Sequence, residues 1–182
     1  MSIVTLEKGQ SRPLTTGEIS LARSVFRHGI DYSRVEIHHG SYFPFDLQSE
    51  QVAMAPNGSI YFMTELYRDD FFHEDPRGKH LFIHEMAHVW QYQMGMNVRM
   101  RGLVSAIVSY KYSLPHYKTL RDYSLEQQAS IIADYYYIMQ FGLNGFEQRK
   151  NFIGIIGPNL MQLYESTLVY FLEDAKEVRS IR

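Results

Sequence analysis

Residues 75–95 leave room for little besides one helix. Asp75-Pro76 supplies an N-cap acceptor and a proline at the first helical position, and Gly95 supplies a stop. The expected helix runs from 76 to about 94, with Leu81, Phe82, Met86, Val89 and Trp90 on an apolar face. Inside it lies His84-Glu85-Met86-Ala87-His88. Residues four apart on a helix share a face one turn apart, so both imidazoles can reach a single metal ion. Glu85 sits on a neighbouring part of the surface, where it can touch a water on that ion without ligating it. Zinc with three protein ligands keeps a position open for water and lowers its pKa to roughly 7. The carboxylate then takes the proton, and hydroxide reaches a carbonyl. A third ligand must come from elsewhere in the chain.

Glu126 is the candidate. It opens a second expected helix, with the capping box Ser124-Leu-Glu-Gln127 and an end near Phe141, ahead of Gly142 and Asn144-Gly145. Ala129, Ser130 and Ala133 follow it by three, four and seven positions and are small enough for the two helices to approach closely. The competing reading of Glu126 is a first-turn acid complementing the helix dipole, and His116 is the rival ligand. Asp134 and Gln91 are placed to hydrogen-bond a ligating imidazole. Tyr112, Tyr123 and His116 are candidates to stabilise an oxyanion. His80, one turn before His84, reads as a surface residue or as part of the cleft edge. His38-His39 and His73 read as surface or loop residues, and Tyr135-Tyr136-Tyr137 as packing.

The rest of the chain reads as helix, a few strands, then mostly helices, an α+β order. Thr15-Thr-Gly-Glu18 is a capping box for a first helix ending near His28-Gly29, and residues 34–38 alternate as a strand. Pro56-Asn57-Gly58-Ser59 predicts a hairpin joining 52–55 to 60–63. Residues 69–75 form a polar loop, 103–110 an apolar helix, and Pro158 opens a last helix that turns Leu160, Leu163, Leu168, Phe171 and Leu172 inward. At 182 residues, without repeats or linkers, one domain spanning 1–182 is expected.

Composition removes several function classes. Fourteen tyrosines and eleven phenylalanines exclude a disordered chain. The absence of cysteine excludes disulfide scaffolds, cysteine-ligated zinc, iron–sulfur clusters and a thiol nucleophile. A formal charge of −2 without a basic run gives no footprint for nucleic acid. No apolar stretch reaches the length of a membrane span, and the first residues lack the pattern of a signal peptide. Synthesis in the cytosol is therefore expected, with export left to a machine that carries folded cargo.

Residues 84–93, His-Glu-Met-Ala-His-Val-Trp-Gln-Tyr-Gln, resemble the zincin metallopeptidases of the glutamate-ligand (gluzincin) type. They are similar to short bacterial domains with H-E-x-x-H-x-x-Q and a later E-x-x-A, here Glu126-Gln-Gln-Ala129. The segment from Arg12 to Phe26, with Ile30 to Val35, resembles Vgr-related and Rhs-associated proteins linked to type VI secretion. The first resemblance implies a zincin-like fold, a small sheet above the metal helix. It implies one zinc held by His84, His88 and Glu126, with Glu85 as general base on a peptide or amide bond. It also implies an edge strand that binds extended peptide, for which residues 60–63 are the candidate. Many such enzymes carry Asp four residues after the glutamate ligand, where this chain has Ser130. The second resemblance implies an effector or processing enzyme with a protein or cell-wall peptide as substrate and a secretion-system component as partner. A different class remains: a zincin-shaped adaptor or chaperone that contacts that machinery through exposed aromatic residues.

Overall fold

The computed structural model describes residues 6–98, 109–143, 145–146 and 151–181. The expected helix at 103–110 falls largely outside them. The fold is α+β, with a three-stranded sheet beside a body of helices. In chain order the regular elements are β1 (Ser11–Pro13), α1 (Thr16–Phe26), β2 (Glu36–His39), β3 (Ile60–Phe62), α2 (Pro76–Gln93), α3 (Leu125–Phe141), α4 (Leu160–Thr167) and α5 (Val169–Glu173).

Each long helix starts where its own cap chemistry dictates. Asp75 accepts from the backbone N–H groups of Arg77 and Gly78, and Pro76 fills the first helical position of α2. Thr15 with Glu18, and Ser124 with Gln127, close reciprocal capping boxes on α1 and α3. Gly142 ends α3 with a positive φ that a side chain would resist. The first helix stops at Phe26, two residues earlier than expected, and the last helix is broken at Leu168 into α4 and α5.

The sheet departs further from expectation. β2 is central: β1 pairs with it antiparallel (Arg12 opposite Ile37), and β3 pairs with it parallel (Ile37 opposite Ile60). The hairpin expected across Pro56–Ser59 is reduced to one antiparallel bridge, Met54 to Tyr61. Its backbone bonds are 3.1 and 2.8 Å. Gln48 sits where the pairing stops. Its buried amide donates to the carbonyls of Val52 and Tyr61, replacing the next ladder bond with a side chain.

The core lies between the sheet and α2, and between α2 and α3. Phe82, Ile83, Met86, Val89 and Trp90 are fully buried on α2, as are Ala129, Ile131, Ile132 and Ala133 on α3. Behind α2, the Trp90 indole donates to the Ala175 carbonyl at 2.7 Å. Gly29 permits this closure, because a Cβ there would meet Ala175 Cβ at 2.7 Å. In front, Glu18 is buried and chelated by Arg12 at 2.7 and 2.8 Å while accepting from the N–H groups of Thr15 and Phe71. That one carboxylate joins β1, α1 and the turn leading into α2.

Candidate metal centre

Helices α2 and α3 run antiparallel and meet along a polar seam in an otherwise apolar contact. Small side chains at Ala87, Ala129, Ser130 and Ala133, all fully buried, let the backbones approach. His80, His84, His88 and Gln91 form one stripe of α2, spaced at one turn each. They face Asp134, Glu126, and Gln128 with the Leu125 carbonyl on α3.

At the middle of the seam, Glu126 Oε2 lies 3.3 Å from His84 Nε2 and 3.1 Å from His88 Nε2. The donor atoms of His84, His88 and Glu126 all fall within 4.8 Å of one another. Zinc bonds of about 2.0–2.1 Å at tetrahedral angles place ligand atoms about 3.3 Å apart, so the two measured separations fit edges of such a site. Two imidazoles and a carboxylate are also a donor set that zinc accepts. The chain thus brings together the three residues expected as ligands, and His116 is exposed elsewhere, edge-on to Tyr117.

The charges in this cluster are strongly coupled. Burial disfavours a charge on His88, but the carboxylates of Glu126 and Glu85 and the hydrogen bonds to Glu126 and Gln91 outweigh it, raising its pKa to about 9. Burial lowers His84, with repulsion from His88 assisting and Glu126 opposing. Burial alone would raise Glu126; the two imidazoles instead hold it far below the usual carboxylate range. Burial pushes Glu85 up to about 7. Glu85 is 4% exposed, and its Oε2 is buried without a hydrogen-bond partner among the described residues. A buried carboxylate oxygen without a partner is uncommon in folded proteins.

The cleft is lined by residues 52–56, by His84, Glu85, His88, Leu125 and Glu126, and by Val98 and Tyr110. This alters the expected edge. β3 is covered by Met54, whose N–H and C=O both pair with Tyr61. Strand alternation then turns the backbone groups of Ala53 and Ala55 the other way, and they have no backbone partner among the described residues. The segment beside the cluster is therefore 52–56 and not 60–63, with Ala53 partly exposed and Ala55 buried.

Several supporting residues lie where expected and others do not. Gln91 accepts from His88 Nδ1 at 2.8 Å. Asp134 serves His80 at 2.7 Å and the Tyr112 hydroxyl at 2.5 Å, and no ligand histidine. Tyr112 is thereby buried in the core with Tyr164, and the Tyr123 hydroxyl donates to the Ser113 carbonyl. Neither lines the cleft. Tyr110 does, with its ring centroid 6.2 Å from that of His84. Burial, with the charges of Glu126 and Glu85 adding to it, raises the Tyr110 hydroxyl to about 12. No local sequence signal separates this tyrosine from thirteen others. His39 is buried, stacked on Tyr67 at 4.2 Å, and Tyr136 and Tyr137 pack in the core as expected.

No family model matches the chain. The type VI secretion system spike protein VgrG2b of Pseudomonas aeruginosa is 45% identical over 132 residues, 69% of this chain and 13% of the spike protein. Among solved structures, the effector domain of Pseudomonas aeruginosa VgrG2b is similar at a TM-score of 0.63 and 40% identity, over 81% of this chain and 86% of that domain. The chain belongs to the VgrG2b effector-domain family. Kinship with VgrG2b links it to type VI secretion, in agreement with the Vgr-related resemblance of residues 12–35. Among the described residues no helix is long and apolar enough to cross a membrane.

Proposed function

We propose that this chain is a zinc metallopeptidase domain of zincin type that acts as a type VI secretion effector. The ligands are His84, His88 and Glu126, and the general base is Glu85. The observation that carries this reading is the conjunction at the seam: three donor atoms within 4.8 Å of one another, two of the separations at 3.1 and 3.3 Å, beside a buried carboxylate oxygen with no partner among the described residues. When bound, zinc supplies a Lewis acid and lowers the pKa of water toward neutrality. Glu85 Oε2 accepts the proton that water gives up and returns it to the leaving amine. Ala53 and Ala55 pair with an extended peptide and present its carbonyl to the cluster. Tyr110, kept protonated by burial, donates to the oxygen on which charge develops. An adaptor or a structural zinc site has no use for the bare Glu85 oxygen, which favours catalysis over binding alone.

Glu85→Gln is the decisive variant. It should retain about one zinc per chain by elemental analysis while hydrolysis of a fluorogenic peptide library falls about 10²- to 10⁴-fold. Full activity in that variant would end the general-base assignment, and a wild type that takes up no zinc would end the metallopeptidase reading.

A further inference from the structure

Four groups at one end of the seam fix one another's hydrogens in sequence. The Leu125 carbonyl can only accept, so the Gln91 side-chain atom 2.9 Å from it is the nitrogen, Nε2. The other hydrogen of Nε2 goes to Gln128 Oε1 at 3.0 Å, and Gln128 Nε2 donates to the Tyr123 carbonyl at 3.1 Å. Gln91 Oε1 is therefore the atom 2.8 Å from His88 Nδ1, and because an amide oxygen can only accept, Nδ1 carries the hydrogen. When His88 is neutral, as metal binding requires, Nε2 is then the nitrogen with a lone pair to offer, and it lies 3.1 Å from Glu126 Oε2. Gln91 and Gln128 are buried, so water does not compete for these bonds. Leu125, which orients the Gln91 amide, is the residue immediately before Glu126.

We propose that Gln91 and Gln128 form an amide relay that sets the tautomer of His88 and holds it in register with Glu126. Gln91 is a positioning residue whose donor half matters as much as its acceptor half. The inference rests on the zinc reading above and goes beyond it, because it states why the acceptor behind His88 is a neutral amide. A carboxylate at position 91 would still accept from His88, but it would turn bare oxygens toward the Leu125 carbonyl and Gln128 Oε1. Gln128 Oε1 would lose its donor in the interior, where an unpaired polar group is destabilising, and the Leu125 carbonyl would face a repelling oxygen. Gln128 touches no ligand, yet it decides which way Gln91 faces.

The test is zinc affinity, measured with Zn²⁺ alone in competition with a chromophoric chelator, for the wild type, Gln91→Met, Gln91→Glu and Gln128→Met. Methionine keeps the volume of glutamine and removes the amide. Removal of a partner behind a ligand lowers metal affinity about 10- to 100-fold, which is the expected result for Gln91→Met. Gln91→Glu should also bind more weakly than the wild type, and Gln128→Met should lose affinity although it contacts no ligand. In the zinc-loaded wild type, the His88 Nδ1 proton should exchange slowly with solvent by NMR and exchange fast in Gln128→Met. Tighter binding by Gln91→Glu would mean that only an acceptor is needed, and unchanged affinity in Gln128→Met would mean that Gln91 orients itself. Either overturns the relay while leaving the zinc site standing. A wild type without zinc affinity overturns both. Should Gln91→Met fail to fold, the other two variants decide the matter.

Discussion

Two imidazole nitrogens converge on one oxygen of Glu126, and at the residue scale this decides how the site holds protons. His88, raised to about 9, is charged at neutral pH before any metal arrives. A raised imidazole stabilises the fold fully below its ordinary value near 6.5, and that contribution fades as pH climbs through 9. Zinc needs the neutral nitrogen, so uptake must displace this proton. At pH 8, above the value near 7 of Glu85, zinc binding should release close to one proton per ion from His88, and up to a second from the metal-bound water. Titration calorimetry in buffers of different ionisation enthalpy reads this directly, and a heat independent of buffer would contradict it. Affinity should rise with pH up to about 9 and then level off.

At the scale of elements, the three proposed ligands are mounted differently. His84 and His88 project from the middle of an eighteen-residue helix, whereas Glu126 is the second residue of α3, held by the capping box at Ser124. Ser124→Ala should destabilise the metal-free protein by about 0.5–2 kcal/mol in urea unfolding. It should also weaken zinc binding, since the turn that frays is the one carrying the ligand. Affinity unchanged alongside lost stability would show that Glu126 is held by its imidazole contacts and not by its cap. The same capping residues explain what can be read from the chain beforehand. Asp75-Pro76, Thr15-x-x-Glu18 and Ser124-x-x-Gln127 each announce a helix within four residues, so α1, α2, α3 and the ligands on them are legible. Tyr110 is not, because what brings it to the cleft is the path of the chain and not its neighbours. Gln91 announces a partner for His88 by its spacing, but its second partner, Gln128, is visible only once α2 and α3 are packed.

At the scale of the molecule, the least legible feature is the sheet. β1 is three residues containing a proline, and β2 pairs in parallel with a strand more than twenty residues later, so no local pattern specifies either partner. A long-range tie does that work instead. Glu18 binds Arg12 and caps both α1 and the turn at Phe71, so Glu18→Ala strips three partners of their acceptor. Loss of one member of a buried pair is destabilising by about 3–5 kcal/mol, and the urea midpoint should fall accordingly. A shift of less than about 1 kcal/mol would place this tie among the weak surface pairs. The seam between α2 and α3 is long-range as well, since Glu126 follows His88 by 38 positions. An ion gripping both sides binds the folded chain and not the unfolded one, so each tenfold excess of free zinc over its dissociation constant adds about 1.4 kcal/mol to stability. A single proteolytic cut between 95 and 123 would then leave two fragments held together both by the packing of α2 on α3 and by the metal, and a chelator would weaken their association.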